Sequence, residues 1–248
     1  MDTALIISDS EKDYKRYQLY YSKENISSGS IFKLDKDFNK AWEVKFKGKR
    51  VTHILLFDSS SFIVAGERID MKVIWVARMR MSDGALIWMK ECKAGRKLET
   101  SGATIANGNI YVLGAKERVI PLRIKTQYGR LRVLFFRTKD MRANLLVLCV
   151  SGKGRLRWKR NLETEKQLNF FGDEIVPSGN LLYALGNFHG FKHQHRQWVK
   201  KEGTYLFSFN QRGRNFKKSL VDANDMFYIM GKSCLAKILK IILKYFKY

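Results

Sequence analysis

The sequence is short of acidic residues: 23 Asp and Glu stand against 47 Lys and Arg, a formal net charge of +24 over 248 residues. That imbalance goes far beyond what solubility requires and implies a surface that attracts polyanions. Cysteine is scarce as well. Cys92, Cys149 and Cys234 are odd in number and lack metal-ligand spacing, which points to a reducing compartment. Within Leu145-Leu146-Val147-Leu148-Cys149-Val150, Cys149 is expected to be a buried strand residue. No stretch approaches the roughly 18 apolar residues of a spanning helix, and Met1-Asp2-Thr3-Ala4-Leu5 lacks the basic n-region and long apolar run of a signal peptide. A cytoplasmic location is therefore expected. The hydrophobic share of 45% and the aromatic share of 13% are those of a globular chain, while 28% charged residues exclude a membrane-embedded one.

Compact catalytic motifs are missing too. There is no Gly-x-Ser-x-Gly elbow. Gly231-Lys232-Ser233 ends like a phosphate-binding loop, but Met226 stands where the first Gly belongs and no βαβ pattern surrounds it. Asp173-Glu174 reads as a surface carboxylate pair. No cofactor is expected.

What the sequence does contain is a repeat. Asn107-Gly108-Asn109-Ile110-Tyr111-Val112-Leu113-Gly114 recurs as Asn224-Asp225-Met226-Phe227-Tyr228-Ile229-Met230-Gly231, including the preceding Ala106 and Ala223. Ser60-Ser61-Phe62-Ile63-Val64-Ala65-Gly66 and Ser178-Gly179-Asn180-Leu181-Leu182-Tyr183-Ala184-Leu185-Gly186 are further copies. Each sets a turn cluster before a β-rich run that closes on Gly. A second hairpin follows, its turn trailed by an aromatic: Gly84 to Trp88, Gly154 to Trp158, Gly213 to Phe216, with an initial unit turning at Asp37-Phe38-Asn39 before Trp42. Each unit thus reads as four short strands, the last bearing a large ring able to pack across to a neighbouring sheet. Two hairpins repeated in this way favour radial blades over a two-sheet sandwich.

Phe62-Ile63-Val64-Ala65-Gly66-Glu67, then Val73-Ile74-Trp75-Val76-Ala77-Arg78, then Ser82-Asp83-Gly84-Ala85-Leu86-Ile87-Trp88 resemble the degenerate β-propeller repeats of archaeal and bacterial proteins. Quinoprotein-like and other seven-bladed-propeller-type repeats share the Gly-to-Trp hairpin. The resemblance covers residues 3 to 231 and implies an all-β fold, here a small β-propeller of about five four-stranded blades with the last incomplete. It carries over no catalytic, calcium-binding or quinone-binding residue. The expected blades are 1–49, 50–99, 100–163, 164–220 and a partial 221–231. Residues 232–248 form a basic amphipathic segment, helix or strand, in which Lys237, Lys240, Lys244 and Lys247 would share one helical face opposite Leu235, Ile238, Leu239, Ile242 and Phe246. That segment is read as a cap on the last blade, with peripheral membrane contact through the lysines as the alternative.

Two stretches break the repeat, about 115–144 and 187–203, and both are basic with aromatics interleaved. The first offers Arg118, Arg123, Lys125, Tyr128, Arg130, Arg132, Arg137, Lys139 and Arg142, and the second Lys192, His193, His195, Arg196, Trp198, Lys200 and Lys201. Cations that neutralise phosphates release counterions, and aromatic faces stack bases, so these arms are candidates for polyanion binding. The plainer alternative is a hairpin around Tyr128-Gly129 with one apolar side and one solvated basic side. His189, His193 and His195 invite a metal, but their spacing is not diagnostic and no metal site is expected. The function expected is a non-enzymatic interaction scaffold whose basic, aromatic-bearing face meets a protein or polyanionic partner. A nucleic-acid-binding protein and an enzyme with a loop-assembled site at the central channel are the alternatives.

Overall fold

Runs rich in Val, Ile, Leu and aromatics, punctuated by Asn-Gly, Asp-Gly and Gly-x-Gly turns, fold into antiparallel strands. The computed structural model describes residues 4–8, 28–35, 37–68, 70, 72–93, 98–117, 120–125, 131–136, 142–162, 168–194 and 197–221. Within these it describes the backbone alone at 4–8, 28, 117, 120–125, 131–136, 142–144, 168–171, 173, 189–194 and 197–201. The partial unit from 222 to 231 and the basic segment 232–248 lie outside the described residues.

A first sheet contains β1 (Ala4–Ser8), β2 (Ser28–Leu34) and β3 (Lys40–Lys47). The second holds β4 (Lys49–Asp58), β5 (Ser61–Arg68), β6 (Val73–Arg80) and β7 (Leu86–Lys93), paired in that order. The third begins with β8 (Leu98–Ala106) and β9 (Asn109–Glu117). It is then interrupted by a separate two-stranded sheet of β10 (Ile120–Lys125) and β11 (Leu131–Phe136), and resumes with β12 (Arg142–Ser151) and β13 (Leu156–Leu162). β14 (Leu168–Ser178), β15 (Leu181–Gln194), β16 (Gln197–Asn210) and β17 (Lys217–Val221) make the fourth, again in chain order. Among the described residues there is no helix, hence none long and apolar enough to cross a membrane.

The sheets stack face to face in sequence order, and the strand period of two explains how. On β5, Phe62 and Val64 pack with Ile31 and Phe46 of the first sheet, while Ile63 and Ala65 pack with Ile110 and Val112 of the third. On β12, Leu146, Leu148 and Val150 face the second sheet, while Leu145, Val147 and Cys149 meet Leu182, Phe207 and Phe209 of the fourth. Strands buried on both faces need near-continuous apolar runs, which is why Phe62-Ile63-Val64-Ala65 and Leu145 to Val150 contain no charge. Each fully buried side chain of this kind contributes about 1.5–3 kcal/mol. The first strands β4, β8 and β14 adjoin one another from sheet to sheet. Up-and-down sheets stacked in chain order, with their first strands innermost, are the blades of a β-propeller.

The outer hairpins lock one blade to the next. Gly84, Gly154 and Gly213 all have φ of 70° or 78°, the left-handed region that favours glycine. Each lies against the indole of the preceding sheet: Gly84 on Trp42, Gly154 on Trp88, Gly213 on Trp158. Trp88 Nε1 donates to the Gly152 carbonyl at 2.9 Å, and Trp158 Nε1 to that of Gln211 at 3.1 Å. The cross-sheet packing expected of the repeat aromatics is thus met at all three tryptophans. Cys92 and Cys149 are buried and free, as expected for Cys149, and burial pushes both thiols up, Cys149 to about 11.

Candidate functional site

Within each four-stranded sheet, second and third strands join at the end opposite the turns that carry Gly108, Gly152, Gly179 and Gln211. Those turns are tied together by bonds from Gly152 N to the Gly108 carbonyl, Asn107 Nδ2 to Gln211 Oε1 and Gln211 Nε2 to the Gly179 carbonyl. Both basic arms are second-to-third-strand connections, of the third and fourth sheets respectively. They therefore leave neighbouring blades from the same end.

The first arm is the β10–β11 hairpin, with Arg123 and Lys125 on one strand, Arg132 on the other and Arg142 opening β12 opposite Glu117. Its register is centred on Tyr128, placing Arg123 opposite Val133 and Arg132 opposite Ile124. Directly opposed positions of an antiparallel pair share a face. Arg123 and Lys125 thus share one face with Val133 and Leu131, and Arg132 shares the other with Ile120, Leu122 and Ile124. Arg118, Tyr128, Arg130, Arg137 and Lys139 lie outside the described residues.

The second arm is no inserted loop. β15 and β16 run unbroken through it, pairing Leu181 with Asn210 at one end and Gln194 with Gln197 at the other. The blade's own central hairpin is extended, with Lys192 opposite Val199, His193 opposite Trp198, Phe191 opposite Lys200 and Gly190 opposite Lys201. His189 stands opposite Glu202. His195 and Arg196 are outside the described residues, as are Lys237, Lys240, Lys244 and Lys247. Among the described residues no group of three His, Cys, Asp or Glu is placed to hold a metal ion.

A second polar locus, which no sequence motif marks, lies on the inner strands. β4, β8 and β14 each carry a bulge: at Thr52 between Val51 and His53, at Ser101 between Thr100 and Gly102, and at Asp173-Glu174 between Gly172 and Ile175. Each of these three bulges faces the Gly that ends the repeat, since Val51 pairs with Gly66, Thr100 with Gly114 and Gly172 with Gly186, while a further shift on β4, between Leu56 and Asp58, lies at its turn. A Cβ on Gly66 would run into the Arg50 carbonyl, and one on Gly114 would sit 2.9 Å from that of Glu99. The repeat glycine is thus the residue that lets a bulged inner strand approach.

At these bulges Glu67, 1% exposed, reaches from the second sheet to the third. Its Oε2 accepts from Thr100 N at 2.7 Å and from Thr100 Oγ1 at 3.3 Å, while its Oε1 lies 3.5 Å from Arg50. Thr100 Oγ1 is 2.9 Å from Thr52 Oγ1, which lies 2.9 Å from His53 Nδ1. A continuous chain of hydrogen-bonding groups therefore runs His53, Thr52, Thr100, Glu67. Burial holds His53 below its ordinary range, with a bond to the Ser101 backbone opposing it. The position after the repeat glycine is Glu67, Ala115 or Asn187, so nothing periodic marks this cluster. Asn187 instead bonds within its own sheet, accepting from Thr204 Oγ1 at 2.6 Å.

No family of known proteins matches the chain, and no curated protein matches it. Among solved structures it is similar to an ACO/RPE65 chimera, at 9% identity over 77% of this chain and 44% of that one, with a TM-score of 0.44. It is similar to an α-L-arabinofuranosidase from Fusarium graminearum, at 9% identity over 80% and 59%, TM-score 0.42. It is also similar to the Dos1 propeller, at 11% identity over 79% and 66%, TM-score 0.27. The chain spans about half the length of the first two, and none of these likenesses bears on activity.

Proposed function

We propose that this chain is a non-enzymatic interaction scaffold whose propeller blades present a basic, aromatic-bearing face, built by the two arms, to a polyanionic partner. The supporting observation is the common exit of the arms from one end of neighbouring sheets, each a paired hairpin. Strand pairing fixes the backbone of the described arm residues, which limits the ordering entropy lost on binding. The net charge of +24 supplies the long-range attraction. Nucleic acid is the narrower form of this reading, and a protein captured without salt sensitivity is the other. The inner-strand cluster favours the scaffold over a channel enzyme, because the Glu67 carboxylate is already engaged by Thr100 and Arg50 in joining two blades.

Retention on immobilised heparin, DNA and RNA tests the proposal. Charge reversal at Arg123, Lys125, Arg132, Lys192, Lys200 and Lys201 should lower the salt needed for elution on all three. An unchanged elution profile would overturn the arm reading.

A further inference from the structure

Acidic residues are unevenly placed among the described residues. Lys40 and Lys45 with Glu43, Lys49 with Glu91, Arg50 with Glu67, Arg68 with Asp70, Arg78 with Asp58 and Arg80 with Asp83 all lie in the first two sheets. The outer hairpins of the third and fourth sheets, residues 151–162 and 210–221, contain no Asp or Glu. They carry Lys153, Arg155, Arg157, Lys159, Arg160, Arg212, Arg214, Lys217 and Lys218, all exposed. None of these forms an ion pair among the described residues.

The two hairpins are neighbours. Gly213 lies on the indole of Trp158, and Arg160 donates to the Gly213 carbonyl. Their turns, Gly152-Lys153-Gly154 and Gln211-Arg212-Gly213, sit at the end of the blades opposite the arms. We infer that these hairpin ends form a second anion-binding surface, distinct from the arms, that takes the phosphodiester backbone of a nucleic acid.

The chemistry selects that ligand over other anions. Arginine dominates at the tips, in Arg155, Arg212 and Arg214, and a guanidinium fork matches phosphate oxygens two at a time. The rings on these hairpins are committed elsewhere: Trp158 Nε1 bonds Gln211, and Phe216 stacks on Phe207 at 5.7 Å between centroids. Contact is therefore with backbone, and independent of base sequence. The turn tips bear glycine, glutamine and cations, and the two large apolar side chains these hairpins expose, Leu156 and Leu220, lie on different blades, Leu220 at the end of its strand away from the turn, so they form no patch to enter a lipid surface. Among the described residues the acids of the same end, Asp35, Asp37, Asp58 and Asp83, lie on the first two sheets, and the two basic hairpins carry none.

The test uses the full chain and a short fluorescent DNA duplex of random sequence, titrated by anisotropy across a salt series. Reversing Lys153, Arg155, Arg212 and Arg214 to Glu should weaken binding at least about tenfold and make the salt slope shallower by about one for each phosphate no longer neutralised. Replacing the same four by Gln should give a smaller loss in the same direction. The control reverses Lys47, Lys72, Lys90 and Lys93, none of them in an ion pair among the described residues, which changes net charge equally at the first two sheets and should leave the slope within about one of the parent. Circular dichroism and thermal melting of the tip and control variants should match the parent, because none of the eight residues pairs with a carboxylate among the described residues. An arm variant reversed at Arg123, Lys125, Lys192 and Lys200 separates the two readings. Loss with the tip variant alone supports this surface and overturns the arms, and loss with the arm variant alone does the converse. The inference also falls if the tip variant loses no more than the control, or if polyglutamate or phosphatidylserine vesicles are bound and DNA is not.

Discussion

The indole of Trp88 lies over Gly154, where an added Cβ would come within 2.9 Å of ring carbon Cδ2, and its Nε1 reaches two residues back to the Gly152 carbonyl. One turn thus serves two sheets. Its glycine is required twice, by a φ of 78° and by the ring beneath it.

Those two requirements separate by mutation. Gly108 has a φ of 67° but nothing within 4 Å of a Cβ, so Gly108→Ala carries the left-handed cost alone, about 1–2 kcal/mol. Gly154→Ala carries that cost and a collision with Trp88 as well. Denaturant titration should rank Gly154→Ala well below Gly108→Ala in stability, and equal losses would mean that the ring contact is dispensable.

Phe38 occupies the same turn position in the first sheet, four residues before Trp42, and it too is left-handed with a φ of 63°. No preceding ring lies beneath it among the described residues, and it is 80% exposed. The position needs glycine's backbone freedom without needing its small size. Phe38→Gly should therefore stabilise by about 1 kcal/mol, raising the denaturation midpoint with no change in its slope.

The turn glycines and the aromatics after them were legible because packing between blades imposes them at a fixed spacing. The bulges were not, since an extra residue in a strand leaves no signature beyond a broken alternation. Thr52 and Ser101 look like ordinary strand residues until Gly66 and Gly114 are seen opposite. The strand character of the second arm was not legible for a related reason: His189-Gly190-Phe191-Lys192 alternates poorly and contains Gly, yet strand pairing continues through it. That the acid-free hairpins 151–162 and 210–221 are neighbours depends on which blades adjoin, and composition alone spreads the charge over the whole chain.

Glu67 joins the second and third blades by accepting from the Thr100 N–H at the bulge. Glu67→Ala strands the buried Thr100 N–H, which costs about 1–3 kcal/mol. Glu67→Gln keeps an acceptor and should lose less. A urea titration in which Gln and Ala are equally damaging would show that the Arg50 charge contact matters more than the bond to Thr100.

Stability should fall with pH in two windows. Hydrogen bonds from Ser61 and Ser60, with Arg78 beside it, hold Asp58 at about 2 against an ordinary 3.8. A depressed carboxylate contributes stability that is complete above the unfolded value, so this part is lost as pH drops from about 4 through 2. Asp58→Asn removes that dependence. His53 is also depressed, by burial, so the unfolded chain takes up its proton first as pH falls below the ordinary 6.5, and folding weakens there. His53→Gln should flatten the pH profile near neutrality and leave the acid limb intact.

The β10–β11 hairpin pairs only with itself among the described residues, while β9 and β12 continue each other's ladder from Asn109–Ser151 as far as Glu117–Arg142. Replacing residues 118–141 with a short Gly-rich turn therefore removes no strand from the four-stranded sheet. The closing loop becomes shorter, which lowers its entropic cost slightly. The melting temperature of the excised protein should equal or exceed the parent's, while its retention on heparin drops to lower salt. Shortening the second arm between Gly190 and Lys201 should act differently. That hairpin is continuous with β15 and β16, whose pairing buries Leu182, Ala184, Phe207 and Phe209, so its removal trims the end of a core ladder. Loss of binding with stability intact in the first case, and with a modest drop in the second, would separate an appended contact element from an extended blade. A collapse of stability on excising 118–141 would instead make the first arm part of the scaffold.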